Sequence, residues 1–353
     1  MKISGLSTPS LVLDINIFKE NMEAMQNVLK GSTLKLRPHY KSHKCAAIAK
    51  MQIENGAIGM TCAKISEAED LCDIGVEDIL IANQIVDPVK IRKLADLANN
   101  CRLTVCVDNI ENINALSIAA KNSGSVIHCL VEYDIGMQRC GVLENEEVLY
   151  LAKHILCCDN LTFDGIQAYA GHISHIEDND TRKRMTGENF AKIKGLISYL
   201  NENGIEVKTV SGGSTGTAEI KAIEGLYTEL QAGSYLFMDA TYRSLSLPFK
   251  NSLFILTTVV SQRDGLTVVD AGVKTCGTDQ GMPQTLVGSA GDIVASEEHF
   301  QIHNYTEKTK IGEKIFLVPA HCCSTVNLYD KIYVVDGDRV IDRILVTAKG
   351  IGR

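Results

Sequence analysis

Residues 78–108 read DILIANQIVDPVKIRKLADLANNCRLTVCVD. Two short β-rich apolar runs, DILIAN (78–83) and RLTVCVD (102–108), each end in a polar residue. The stretch between them repeats apolar residues at i, i+3 and i+4, the spacing of an amphipathic helix. Strand, helix and strand in that order predict a parallel crossover unit. The theme recurs from residue 34 to about 240, in LKLR (34–37), AIGMTC (57–62), VIHCLVEYD (126–134), FDGIQAY (163–169), VKTVSGG (207–213) and ELQAG (229–233). Gly56, Gly75 and Gly204 stand where left-handed residues close helices. Eight such units favour an α/β chain built on a closed (β/α)8 TIM-type barrel over an open doubly wound sheet.

After residue 250 the texture changes. FILTTVVSQ, GLTVVDAGV, KIFLVPAHC and KIYVVDGDRVIDRILVTAKG alternate with turns, and VVDGDRV is a hairpin signal. The expected organisation is a barrel over 16–245 and a mostly β domain over 246–353, which residues 1–15 join as a strand.

The 353 residues are 45% hydrophobic and 22% charged, with net charge -8. That acidic balance argues against a nucleic-acid partner, because neutralising phosphates needs basic surface. No run approaches the length of a membrane span, so no membrane partner is expected. The opening MKISGLSTPS lacks a secretory apolar core. The twelve cysteines include no CxxC. They are expected to be free thiols of a reduced, cytoplasmic chain.

Functional groups of such barrels project from the carboxyl ends of the strands. Those ends carry Arg37, His39 and Lys41; Asn83 and Gln84; Asp108; Glu132, Asp134 and Arg139; Tyr169, His172 and His175; and Ser211. The glycine-rich SGGSTGTAEI (211–220) follows the seventh strand, so Ser211, Gly212, Gly213, Ser214 and Thr215 can bring backbone and helix start to an anion. Gly233 and Ser234 end the eighth strand beside it. Loops after strands seven and eight form the usual barrel phosphate site; a plain tight turn is the alternative. In LKLRPHYKSHK (34–44), Lys41 reads as a reactive lysine whose neutral amine Arg37, His39 and Lys44 would favour by like-charge repulsion. The alternative is a solvated basic loop. A phosphate anchor and a Schiff-base lysine are what pyridoxal 5'-phosphate (PLP) requires. In PAHCCSTVNLYD (319–330), His321 and Cys323 share a face if the segment is extended. They form a soft N/S pair suited to zinc, or else a buried histidine beside inert cysteines.

TPSLVLD, LRPHYKSHK, DILIANQIV, DIGMQRCGV, GIQAYAGHISH, SGGSTGT and PAHCCSTVNLYD together resemble the D-threonine aldolase and D-serine dehydratase family. These are fold-type III PLP enzymes with an alanine racemase-like barrel, and the likeness runs through the whole chain in order. It implies that Lys41 forms the Schiff base with the cofactor and that Arg139 and Tyr169 contact it. The SGGSTG loop with Gly233 and Ser234 matches the phosphate cup, and His175 matches a histidine near the substrate hydroxyl. His321 and Cys323 match a divalent-metal pair, zinc first, with manganese or magnesium as alternatives. Members are typically homodimers.

Aldolase members usually carry His-x-Asp at the metal position, and dehydratase members His-x-Cys. The sequence His321-Cys322-Cys323 therefore predicts a dehydratase turning a small β-hydroxy D-amino acid into a 2-oxo acid and ammonia. D-serine, D-threonine and 3-hydroxy-D-aspartate are the candidate substrates. Retro-aldol cleavage to glycine and an aldehyde is the alternative. An amino-acid racemase would leave the metal pair without a role, and a PLP carrier would not need the second domain.

Overall fold

The structure, a computed structural model, describes residues 1–350. The first strand, β1 (Ser10–Asp14), is followed by eight parallel ones: β2 (Lys35–Leu36), β3 (Met60–Cys62), β4 (Asp78–Ile81), β5 (Arg102–Val107), β6 (Ile127–Glu132), β7 (Leu161–Ala168), β8 (Thr209–Gly212) and β9 (Glu229–Leu230). These eight match the runs read from the sequence. The sheet order is β2-β9-β8-β7-β6-β5-β4-β3. Its two end strands meet through one parallel bridge, His39 to Thr61, supported by Ile58 N–H to Leu36 O at 3.0 Å and Thr61 N–H to Pro38 O at 2.9 Å. That bridge closes the barrel.

The described chain forms two compact units, Asn27–Lys41 with Ala49–Gly233, and Met1–Gln26 with Ser42–Ile48 and Ser234–Gly350. In the first, the crossover helices start and stop on local chemistry. Asp87 accepts from the N–H groups of Val89 and Lys90 at 2.9 and 3.0 Å. With Pro88 in the first turn, it opens helix Pro88–Leu97, which buries Ile91, Leu94 and Ala95. Glu144 and Glu147 form a capping box on helix Asn145–Leu156. Gly56, Gly75 and Gly204 adopt φ of +90°, +84° and +77° just beyond their helices, as their positions predict.

The amino end of the barrel interior is filled with charge. Arg37 donates to Asp78 Oδ1 at 2.9 Å and to Glu229 Oε1 at 2.8 Å, the first residues of β4 and β9. Arg102 joins Asp78 at 3.2 Å and also pairs with Asp164, which His128 Nδ1 meets at 2.9 Å. Burial alone would depress the Arg37 pKa, but Glu229 and Asp78 outweigh it and the pKa is raised. Arg37 was expected as a like charge near Lys41; its guanidinium is paired with Asp78 and Glu229 inside the barrel.

The second unit holds β1 and the remaining strands: β10 (Leu253–Arg263), β11 (Leu266–Val269), β12 (Gln284–Thr285), β13 (Ile293–Ala295), β14 (Phe300–His303), β15 (Lys314–Val318), β16 (Lys331–Asp336) and β17 (Arg339–Leu345). They form one sheet, ordered β13-β14-β11-β10-β1-β16-β17, with β15 pairing β10 and β12. The amino-terminal strand lies inside it, antiparallel to β10 and parallel to β16. Leu6, Val12, Leu256 and Val335 form a buried cluster on this sheet. The hairpin β16–β17 turns at Gly337, φ +57°. Among the described residues all twelve cysteines are free thiols, and no helix is long and apolar enough to cross a membrane.

Replacing Arg37 by Met strips Glu229 of its guanidinium and leaves Asp78 with Arg102 alone, and losing one partner of such a buried cluster costs about 3–5 kcal/mol. Urea unfolding of Arg37→Met should show a loss of that order; wild-type stability would contradict the reading of Arg37 as the barrel's internal counter-charge.

Candidate active site

Directly after β2 the chain makes a 3-10 turn, Tyr40–Ser42, that carries Lys41. Lys41 lines a cavity of about 210 Å³ together with His39, Asn83, Arg139, Gln167 and Tyr169. The Tyr169 ring has two cations near it: Lys41 Nζ at 5.9 Å and the Arg139 guanidinium at 5.8 Å from its centroid. The residue two places on must be small. A Cβ on Gly171 would come within 2.7–2.9 Å of the Tyr169 ring and hydroxyl.

Arg139 rides on a loop fixed from below. The Asp134 carboxylate accepts from the N–H groups of Gly136, Met137 and Gln138 at 2.8, 2.7 and 2.9 Å. Asp108 accepts from Gly141 N–H at 3.1 Å. Both acids, grouped by sequence with the site, therefore build the loop. Burial lifts the Glu132 carboxyl, although Gln84 donates to it at 2.5 Å and Arg139 pulls it down.

Each group invoked as a like charge beside Lys41 has a partner in the protein. His39 Nδ1 lies 3.4 Å from Lys41 N–H as an acceptor, and Arg37 is paired. Lys44 donates to Asn327 Oδ1 at 2.9 Å.

Most of the loop after β8 is internally satisfied. Gln231 donates to Ser211 Oγ at 2.9 Å and to Gln167 Oε1 at 2.6 Å. Ser214 receives Ser174 Oγ at 2.6 Å and faces Thr217 Oγ1 at 3.1 Å. Gly213 has φ +80°, and a Cβ there would meet Lys221 Cδ at 2.7 Å and Leu230 Cδ1 at 2.8 Å. A Cβ on Gly212 would lie 2.2 Å from Ala168 O. Thr215 is the exception: its Oγ1 is buried and has no hydrogen-bond partner. An unpaired buried hydroxyl costs about 1–3 kcal/mol, and a phosphate oxygen is an acceptor of the kind it lacks. The loop's donor chemistry thus fits a phosphate group. The following helix, Ala218–Glu224, has only seven residues, too short for the dipole expected to assist.

Gly233 ends the barrel unit, whereas Ser234 opens a 3-10 turn in the second unit, where its side chain bonds the Cys322 thiol. His175 stands exposed beyond the turn Gly171–Ile173, outside the cavity lining.

In the second unit, His321 is the N-cap of a short helix, Cys322–Val326. This corrects the extended geometry expected from the sequence. Cys322 is buried and donates its N–H to Asp239 at 2.9 Å; Cys323 is half-buried and interacts with the His321 ring. Burial opposes charge on that ring, but Cys323 and Asp279 hold its pKa up to about 9. Among the described residues no three His, Cys, Asp or Glu side chains are arranged to hold a metal. The pair supplies imidazole and thiolate, which suit zinc and leave its other positions to small ligands.

Gln167, Gln231 and Asp279 were not foreseen. The two glutamines were legible as polar residues inside the strand runs FDGIQAY and ELQAG.

The alanine racemase N-terminal domain model matches residues 13–241, and a serine dehydratase domain model matches 252–335. The chain is 38% identical to a D-threonine aldolase of Arthrobacter sp, over 99% of this chain and 95% of that protein. It is 37% identical to a 3-hydroxy-D-aspartate aldolase of Paracoccus denitrificans, over 100% and 94%. The crystal structure of D-threonine aldolase from Filomicrobium marinum superposes with TM-score 0.96 at 36% identity, covering 100% and 98%. The chain belongs to the D-threonine aldolase and D-serine dehydratase family. It is a lyase of the fold-type III, PLP-dependent kind. Within the family, a D-threo-3-hydroxyaspartate dehydratase of Delftia sp. matches at 25%, over 91% and 92%. The dehydratase reading drawn from His321 and Cys323 is therefore the less supported of the two.

Lys221 lies under the loop with its amine 3.4 Å from the Tyr227 ring centroid and 5.3 Å from that of Phe190. Burial pulls its pKa down from 10.5 to about 7, against a smaller opposing effect of Glu224. Between these values the unfolded chain holds a proton the folded chain has shed, so stability rises with pH there and the penalty is complete below about 7. Lys221→Met should melt higher than wild type at acidic pH, with the gap closing as pH approaches 10. A gap independent of pH would contradict the burial of this amine.

Proposed function

We propose that the chain cleaves the Cα–Cβ bond of β-hydroxy D-amino acids, D-threonine or 3-hydroxy-D-aspartate among them, to glycine and an aldehyde. The observation that carries this reading is the whole-length likeness to two aldolases, well above the likeness to the dehydratase. Lys41 supplies the amine that holds PLP covalently, with Arg139 and Tyr169 orienting the ring. Gly212, Gly213, Ser214 and Thr215 hold the phosphate, the Thr215 hydroxyl gaining the acceptor it lacks; Ser211, Gly233 and Ser234 complete the group by family likeness. Bound PLP supplies an electron sink for the pair left on Cα.

In the reaction the β-hydroxyl loses its proton, its oxygen becomes the aldehyde carbonyl, and Cα takes a proton. His175 is assigned the hydroxyl proton by family likeness. His321 and Cys323 would hold a divalent ion, zinc by the softness of the pair, and the chemistry such an ion supplies is polarisation of an oxygen. The family's habit supports a homodimer.

One observation favours elimination as a second reading: His321 and Cys323 have the spacing and residue types of the dehydratase pair. Incubating PLP-loaded enzyme with D-threonine, 3-hydroxy-D-aspartate and D-serine, with and without chelator, separates them. Glycine plus aldehyde is expected, lost in Lys41→Ala and on chelation. Ammonia plus a 2-oxo acid would install the second reading, and turnover by Lys41→Ala equal to wild type would remove both.

A further inference from the structure

The segment Thr275–Asp279 is stitched to the helix that follows His321. Tyr329 donates its hydroxyl to Thr275 O at 2.8 Å, and Gly277 N–H donates to Thr325 Oγ1 at 3.0 Å. Thr325 Oγ1 in turn donates to His321 O at 2.7 Å. Gly277 allows this approach, because a Cβ there would lie 1.9 Å from Ser324 Oγ. The result is a carboxylate with both oxygens committed. Asp279 Oδ1 accepts from Ser324 Oγ at 2.5 Å, and Oδ2 meets His321 Nδ1 at 2.7 Å. With Nδ1–H donated to Asp279, Nε2 is the ring nitrogen left to ligate a metal.

We propose that Asp279, seated by Ser324, is the positioning residue of the His321–Cys323 pair, fixing the imidazole so that Nε2 rather than Nδ1 meets a divalent ion. The inference rests on the reading above that this pair binds such an ion. A ligating imidazole free to rotate or to change tautomer spends part of its time with the wrong nitrogen presented. A carboxylate on the far nitrogen removes that freedom and raises ligand basicity, and losing such a partner typically weakens metal affinity about 10–100-fold. The 42 residues separating Asp279 from His321 place this partner far outside the motif that carries the ligands.

The test is Zn²⁺ affinity, read by chelator competition on full-length, PLP-loaded protein, with Co²⁺ absorption as a probe of the ligand field. Asp279→Ala should bind Zn²⁺ near the weak end of roughly that 10–100-fold range. Asp279→Asn, whose amide oxygen still accepts from Nδ1–H, should sit near the mild end. Both should keep the thiolate–cobalt charge-transfer band while the ligand-field bands change, and both should melt like wild type in excess chelator. Should D279A fail to fold, D279N decides.

Wild-type Zn²⁺ affinity and Co²⁺ spectrum in D279N, with binding lost in His321→Ala, would overturn the positioning role and leave the metal pair standing. Loss in D279N as complete as in H321A would also overturn it, since Asp279 would then be a ligand. Undiminished binding in both H321A and Cys323→Ala would instead remove the metal pair itself.

Discussion

The barrel's short strand β2 depends on the fork of Arg37. Two residues of ladder cannot hold a strand in register by themselves, yet this strand must meet β9 on one side and β3 on the other. Arg37, one residue beyond it, ties it to the first residues of both β9 and β4 through Glu229 and Asp78. A guanidinium is suited to this because its planar donors serve two carboxylates at once. The desolvation cost of burying these charges is offset only while every partner is present. Lys41 follows four residues later, so its position in the cavity is inherited from that ion cluster.

A division of labour among polar groups follows from the same accounting. Asp108, Asp134, Gln84, Gln231 and Ser214 are occupied by partners in the protein and define the walls of the site. The Thr215 hydroxyl is not, and in a buried setting that is a standing penalty which a phosphate oxygen would relieve. Glycine serves the walls too: Gly171 makes room for the Tyr169 ring, and Gly277 lets one loop lie against Ser324.

The architecture was legible because period and length are local properties. Each of the eight barrel runs overlaps its strand, and seven contain it whole, while capping residues such as Asp87 and Gly75 mark helix ends by their own chemistry. Side-chain direction is not local. Arg37 and Asp108 stood among the site residues in the sequence, but what each one faces depends on distant partners, Glu229 and Gly141 among them. The pair His321 and Cys323 was found by type and spacing, whereas its helical backbone was missed in a β-rich region. Asp279 carries no local signal at all. A two-residue motif pointed to elimination, whereas the likeness over the whole chain lies with the aldolases.

The central claim is that Lys41 is the amine holding the cofactor. Borohydride reduction of the PLP-loaded protein, followed by peptide mapping of the label, tests it most directly. The account predicts the label on Lys41 alone and its absence from Lys41→Ala; stoichiometric label on another lysine, Lys221 or Lys44 for example, with Lys41 unmodified would contradict it.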